Sequence, residues 1–265
     1  MIEIVKNIEF SLLIVIPCYN EFNRLSVKTI IAFLKENHDV GIVFSNDGST
    51  DNSTALFDEI KKKFSKRVFI NTLTINRGKA AAVRSGFLFS LEHLNFDRIA
   101  YLDADLSTSL DECLLLSKNL NDQILFVFGS RISKIDNLID RRFLRFIIGR
   151  IIATMISKQL DLSVYDTQCG CKIFRKDLAD HLFKERFFSK WLFDVEIFHR
   201  LIQLIGKNSI KYTVKEVPLE SWVDTKNSKV KMTYFFRLWF DLLIISKKYK
   251  KKEKVIWKPL PQNTF

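Results

Sequence analysis

Glycine and proline are scarce, at 8 and 4 residues, and there are only four cysteines, Cys18, Cys113, Cys169 and Cys171. Four cysteines in 265 residues make no disulfide framework, and each lies in an apolar or strand-like stretch. Cys169 and Cys171 form a C-x-C, but no second Cys or His pair completes a tetrahedral metal site. Reduced, buried thiols are expected, as in proteins of the cytosol, where disulfides are rare. No secretory leader is evident: the apolar stretch Ser11–Pro17 is too short to cross a bilayer, and no basic segment precedes it. No internal repeat and no linker-like segment divides the chain.

What is present is a globular composition, 47% apolar and 27% charged, long enough to bury a substantial core. Phenylalanine is abundant at 24 residues, a bias that an A/T-rich genome produces as readily as any function. The formal net charge of +12 calls for an anionic partner: nucleic acid, acidic lipid headgroups or a phosphorylated substrate.

The first half alternates strand and helix patterns. Short apolar runs at Leu12–Ile16, Val40–Ser45, Val68–Leu73 and Arg98–Leu102 read as buried strands. Ser26–Lys35, Ser53–Phe64 and Ala80–Leu91 have helical spacing. This order predicts an α/β fold with a mostly parallel sheet, right-handed crossovers and helices on both faces. Ligands of such sheets bind beyond the carboxyl ends of the strands, so the polar residues after each strand converge on one rim. Further strands are expected at Leu125–Gly129, Cys171–Phe174 and Val214–Leu219, and helices at Asp194–Leu204 and Thr233–Ser246.

Three polar motifs follow strands. Asp103-Ala104-Asp105 puts two carboxylates two residues apart, where both can reach one hard cation such as Mg²⁺ or Mn²⁺ bridging to phosphates. Asn46-Asp47-Gly48-Ser49-Thr50-Asp51 is a turn. Asn76-Arg77-Gly78-Lys79 sets a glycine between two cations ahead of a helix, a pattern able to cradle a diphosphate. Singly, each has an ordinary reading as well: a helix-capping Asp pair, an Asx turn, a basic loop.

Together with Pro17-Cys18-Tyr19-Asn20-Glu21, their order and spacing resemble the inverting family 2 glycosyltransferases of the GT-A fold. The chain looks most like the polyprenyl-phosphate (dolichyl-phosphate) β-glucosyltransferases and their mannosyl relatives. Gly129-Ser130-Arg131, Asp166-Thr167-Gln168-Cys169-Gly170-Cys171-Lys172-Ile173-Phe174 and Trp191-Leu192-Phe193-Asp194-Val195-Glu196 add to the likeness, which spans about residues 10 to 230. The resemblance implies a nucleotide-sugar pocket of Pro17, Tyr19, Asn20, Glu21, Asp47, Gly78, Lys79, Arg84, Asp103 and Ala104. Asp103 and Asp105 would hold Mg²⁺ or Mn²⁺ and the diphosphate. Arg131, Arg141 and Arg142 would grip an acceptor phosphate, and Asp105, Arg131 and Asp194 would form the catalytic group. UDP-glucose is the expected donor, because Ser107 replaces the Gln that the mannosyl branch uses. Asn46 departs from the usual Asp, which puts one ribose or base contact in question. The membrane anchors of many relatives are not seen.

A polyprenyl phosphate acceptor is already anionic near neutral pH and needs positioning more than deprotonation. The guanidinium fork suits that task. Arg141 to Met155 mixes Arg145 and Arg150 with Phe143, Leu144, Ile147 and Ile151, and either lies in the headgroup zone or packs on the core with a solvated basic face. Tyr234–Ile245 is similar, and Arg237 and Asp241 argue against spanning. The Lys-rich run after it suits anionic lipid, at about 1 kcal/mol per cation, or is a plain solvated tail. These readings predict a catalytic domain over 1–230, with a nucleotide-binding half at about 10–130 and an acceptor half at about 131–230. A basic, membrane-associating tail over 231–265 completes it, and the chain is expected as a peripheral protein at the cytosolic face of a membrane. The rivals are a GDP-mannose-dependent mannosyltransferase, a soluble family 2 enzyme acting on a glycan hydroxyl, and a basic nucleic-acid-binding module. No RNA- or DNA-binding motif supports the last. A nucleotidyltransferase would need a Gly-rich, Lys-bearing loop that Leu12–Leu25 lacks.

Overall fold

A computed structural model describes residues 8–140, 143–223 and 234–249. A seven-stranded sheet runs in the order β3-β2-β1-β4-β7-β5-β8, with β1 at Glu9–Cys18, β2 at Val40–Asn46, β3 at Val68–Thr72, β4 at Asn95–Leu102, β5 at Phe126–Ser130, β7 at Cys171–Arg175 and β8 at Val214–Pro218. A short parallel pair, β6 (Leu138–Asp140) with β9 (Ser221–Val223), stands apart from it. All main-sheet pairings are parallel except those of β7, which runs antiparallel to both β4 and β5. Apolar content alone carries no strand direction, so the sequence could not foresee that reversal.

The pleat of β1 explains the two-sided core. Leu12, Ile14 and Ile16 join one apolar cluster, while Leu13 and Val15 join the other. The first cluster is covered by α1 (Val27–Glu36), α2 (Ser53–Lys63) and α4 (Leu110–Ser117). The second is covered by α3 (Lys79–His93), α5 (Phe143–Leu160), α6 (Lys176–Phe183), α7 (Phe193–Ile205), α8 (Lys207–Thr213) and α9 (Tyr234–Tyr249). Helices therefore lie on both faces, as the β-α alternation predicts.

Two features set the site. The chain runs outward from β1 to β2 and β3, then returns to place β4 on the other side of β1, so the order reverses between β1 and β4. That is the point where open α/β sheets leave a crevice at the strands' carboxyl ends. All four cysteines are buried and free. Among the described residues no helix is long and apolar enough to cross a membrane. Arg141, Arg142 and the Lys250–Lys252 run lie outside the described residues.

Candidate active site

The tips of β1 and β2 are laced together by side chain to backbone hydrogen bonds. Asn20 adopts a left-handed φ of 52°, which Asn tolerates, and its amide donates to Ser49 Oγ at 3.0 Å. Its Oδ1 accepts from Thr50 N at 2.8 Å. Glu21 N donates to Ser53 Oγ at 2.7 Å, and Phe22 N to Asp51 Oδ2 at 3.2 Å. Burial raises the Asp51 carboxyl, but hydrogen bonds from Ser53 and Phe22 outweigh it and hold it below its usual range. Asn46 Oδ1 accepts from Ser49 N at 3.0 Å, an Asx turn that works with Asn as well as with Asp.

Asp47 is buried just beyond the tip of β2. Both of its oxygens accept backbone amides of the neighbouring loop, Arg77 N at 2.8 Å and Gly78 N at 2.7 Å. Burial raises its carboxyl, and those amides offset part of the rise. Gly78 has φ 95°, open to glycine at little cost, and caps the start of α3. Asp47 thus pins the loop that delivers Lys79.

Lys79 Nζ lies 2.6 Å from Asp103 Oδ1. Burial works against its charge, yet Asp103 and then Asp194 hold it above its ordinary value. Asp105 Oδ1 accepts from Ser107 N at 3.1 Å, and its Oδ2 meets the Arg24 guanidinium, 3.4 Å away, which also faces Glu21. Ala104, between the two carboxylates, points its methyl into the apolar core. The turn that follows stores strain, because Leu106 has a left-handed φ of 50°. Gly170 closes the crevice from β7: a Cβ there would lie 2.2 Å from Asp103 Oδ2. Pro17 is buried in β1, with Tyr19 half-buried just beyond it.

Asp194 is not a bare carboxylate. It is buried, takes the Tyr101 hydroxyl on Oδ1, and lies 2.8 Å from Lys172 Nζ. Lys172 is fully buried and also donates to Cys169 O at 2.6 Å. Burial, with Asp194 alongside, pushes the Tyr101 phenol well up. Lysine inside an apolar strand is the signal that sequence reasoning passed over: a buried ammonium needs a carboxylate partner.

Arg131 is likewise committed. Its Nε and Nη2 form a fork on Asp166, at 2.7 and 2.8 Å, and its backbone amide adds a third bond. Burial opposes its charge, but Asp166 more than compensates and raises it. Glu216 anchors the same turn, accepting from Tyr165 N and Asp166 N at 2.9 and 2.7 Å. Arg131 nevertheless lines a pocket, whose second cation is Arg150. Arg150 donates to Tyr165 O at 2.8 Å and stacks over the Tyr165 ring at 3.5 Å. Thr167, in the same pocket, buries a hydroxyl that has no hydrogen-bond partner among the described residues. Arg150 stands with Arg131 in this pocket, while Arg141 and Arg142, expected beside Arg131, lie outside the described residues. Arg84 departs from the group: its guanidinium donates to Lys184 O at 2.5 Å, away from the carboxylate crevice, so the structure does not bring it to the nucleotide pocket expected of it.

A GT-A crevice with a D-x-D at the switch point defines a sugar-transferring enzyme, and the sequence agrees. Residues 13–183 match Glycosyl transferase family 2, and the chain belongs to that family. It is 31% identical over 263 residues to the dolichyl-phosphate beta-glucosyltransferase of Saccharomyces cerevisiae, covering 91% of this chain and 75% of that protein. The human protein of the same name is 28% identical over 253 residues, covering 89% and 75%. In fold, the chain is similar to glucosyl-3-phosphoglycerate synthase from Mycobacterium tuberculosis, crystallised with Mn²⁺, UDP and phosphoglyceric acid. That match has a TM-score of 0.65 at 13% identity and covers 93% of this chain and 82% of that one. Mannosyl-3-phosphoglycerate synthase from Rubrobacter xylanophilus matches with a TM-score of 0.64 at 13% identity, covering 97% and 80%.

Proposed function

We propose that this glycosyltransferase moves glucose, with inversion, from UDP-glucose to a polyprenyl (dolichyl-type) phosphate at a membrane surface. The observation that carries the reading is the pair Asp103 and Asp105 at the tip of β4, each faced by a cationic side chain, Lys79 and Arg24. Cationic nitrogens stand where a divalent ion would be drawn, and Gly170 keeps the space beside Asp103 clear. Among the described residues no three His, Cys, Asp or Glu side chains converge on one point. Two carboxylates completed by substrate phosphates suit Mg²⁺ or Mn²⁺, which are bound in that way. Bound there, the ion would neutralise charge developing on the departing diphosphate.

The protein's own groups do the rest. The α3 N-terminus and Lys79 favour a diphosphate over the crevice. Asn20, Glu21 and Asp47 shape the nucleotide side. Arg131 and Arg150 offer an acceptor phosphate two guanidinium groups at one pocket. Asp194, engaged by Lys172 and Tyr101, orients and balances charge instead of taking a proton, as a nucleophile that is already anionic allows. The domain division follows: a nucleotide half at about 10–130, an acceptor half at about 131–230, and a basic tail beyond.

Membrane contact is supported by two stripes. On α9, Trp239, Phe240, Leu243 and Ile244 are exposed, while Leu238, Leu242 and Ile245 are buried against the core. On α5, Ile147 and Ile151 are exposed. Lys247 and Lys248 at the end of α9 complement anionic headgroups. The test is incubation with radiolabelled UDP- and GDP-sugars plus polyprenyl phosphate, followed by organic extraction. Label from UDP-glucose alone should enter the organic phase. Label from GDP-mannose, or label that stays aqueous on a glycan, would replace this reading.

A further inference from the structure

Glu196, on the first turn of α7, is fully buried, and its carboxylate accepts Phe188 N at 2.9 Å, Ser189 N at 2.7 Å and the Tyr249 hydroxyl at 2.9 Å. Tyr249 closes α9. Two turns earlier, Asp241 accepts from Ser189 Oγ at 2.8 Å. Asp241, Ile245 and Tyr249 are spaced by four, so one face of α9 makes both contacts. Ser189 Oγ in turn accepts from Trp191 N at 3.3 Å and Leu192 N at 3.0 Å, fixing the entry to α7.

The loop held in this way reaches the crevice. Lys190 O accepts Ala80 N, on the first turn of α3, at 3.2 Å. The Lys190 side chain roofs Gly78, where an added Cβ would come within 3.2 Å of it. Lys79, between those two positions, is the residue on Asp103, and Asp194 stands on the first turn of α7. A short hydrogen-bonded path therefore joins α9 to the starts of both helices that face the carboxylates.

We propose that Asp241 and Tyr249 are positioning residues, through which α9 straps the 188–192 loop onto the Gly78–Lys79 turn and sets the geometry of the nucleotide-sugar site. The proposal rests on the reading of that turn as part of the donor site. It gives the C-terminal helix a role inside the reaction in addition to its outward apolar face.

The test uses the full chain with Tyr249→Phe, Asp241→Ala and the double variant. Hydrogen–deuterium exchange should quicken over residues 76–82 and 188–192 in each, most in the double, while β2 is unchanged. The KM for UDP-glucose should rise by about tenfold in the double variant, as the loss of two hydrogen bonds implies. The KM for polyprenyl phosphate should change by less than about twofold, since uniform damage would move both. Tyr249→Phe removes one oxygen and keeps the ring stacked on His199, which guards against simple misfolding. Unchanged exchange over 76–82 in the double variant would overturn the strap, as would equal rises in both KM values. Exchange needs no substrate, so it decides the strap even if the wild-type chain transfers no sugar from UDP-glucose, a failure that would fall on the donor assignment alone.

Discussion

The two sides of the crevice are built by different physics. On the side proposed for the nucleotide, short polar side chains bond to nearby backbone: Asn20, Asn46, Asp47 and Asp51 each hold a loop amide. On the side proposed for the acceptor, long charged side chains meet across the fold, Arg131 with Asp166 and Lys172 with Asp194. The first arrangement is rigid and cheap, because each bond orders only a loop. The second must offset the desolvation of whole charges, and it stands only while each partner is present. A donor diphosphate suits the side held by loop amides, and a lipid phosphate suits a pocket lined by two guanidinium groups.

That contrast can be broken or sharpened by substitution. Gly170→Ala should have the largest effect of these, because the added methyl meets Asp103 Oδ2 at 2.2 Å. Transfer should fall by about a hundredfold, the cost of displacing a reacting geometry by about 1 Å. Circular dichroism should remain that of wild type. Arg150→Ala comes next: the KM for polyprenyl phosphate should rise by about tenfold, as for one charge-assisted contact, with the KM for UDP-glucose unmoved. Equal effects on both substrates would erase the division between the sides.

The smallest effect is expected at His199, on α7. Burial pushes His199 down to about 4, with Gln159 on its Nε2 at 3.2 Å. The unfolded chain binds a proton at His199 near its ordinary value of 6.5, before the folded chain does. Stability from this residue is therefore full above that value and is lost as pH falls towards 4. Thermal unfolding followed from pH 7 to pH 4 should show a steeper decline for wild type than for His199→Asn (roughly the span between the two titrations). Parallel declines would remove His199 from the account.

The same contrast explains what could be read in advance. The strands, the helices of the first half and the Asp103–Asp105 tip are local patterns, and the structure places them within a few residues of the expected bounds. Short elements such as α4, α6, α8, β6 and β9 carry too few turns or alternations to register. The partners of Arg131, Asp194 and Lys172 lie 35, 93 and 22 residues away, so no spacing rule reaches them. Arg84 shows the limit of carrying a role over by position, because a helix fixes where a residue starts but not which loop its long side chain finds. The antiparallel β7 brings Gly170 and Lys172 beside Asp103 and Asp194, and nothing local announces it.

The most direct test is calorimetric titration of UDP with and without Mn²⁺ on the wild-type chain and on Asp105→Ala. Wild type should bind UDP more tightly by about a hundredfold or more when the ion is present, and the variant should lose that dependence while unfolding at the same temperature. Manganese-dependent UDP binding that survives intact in Asp105→Ala would contradict the account.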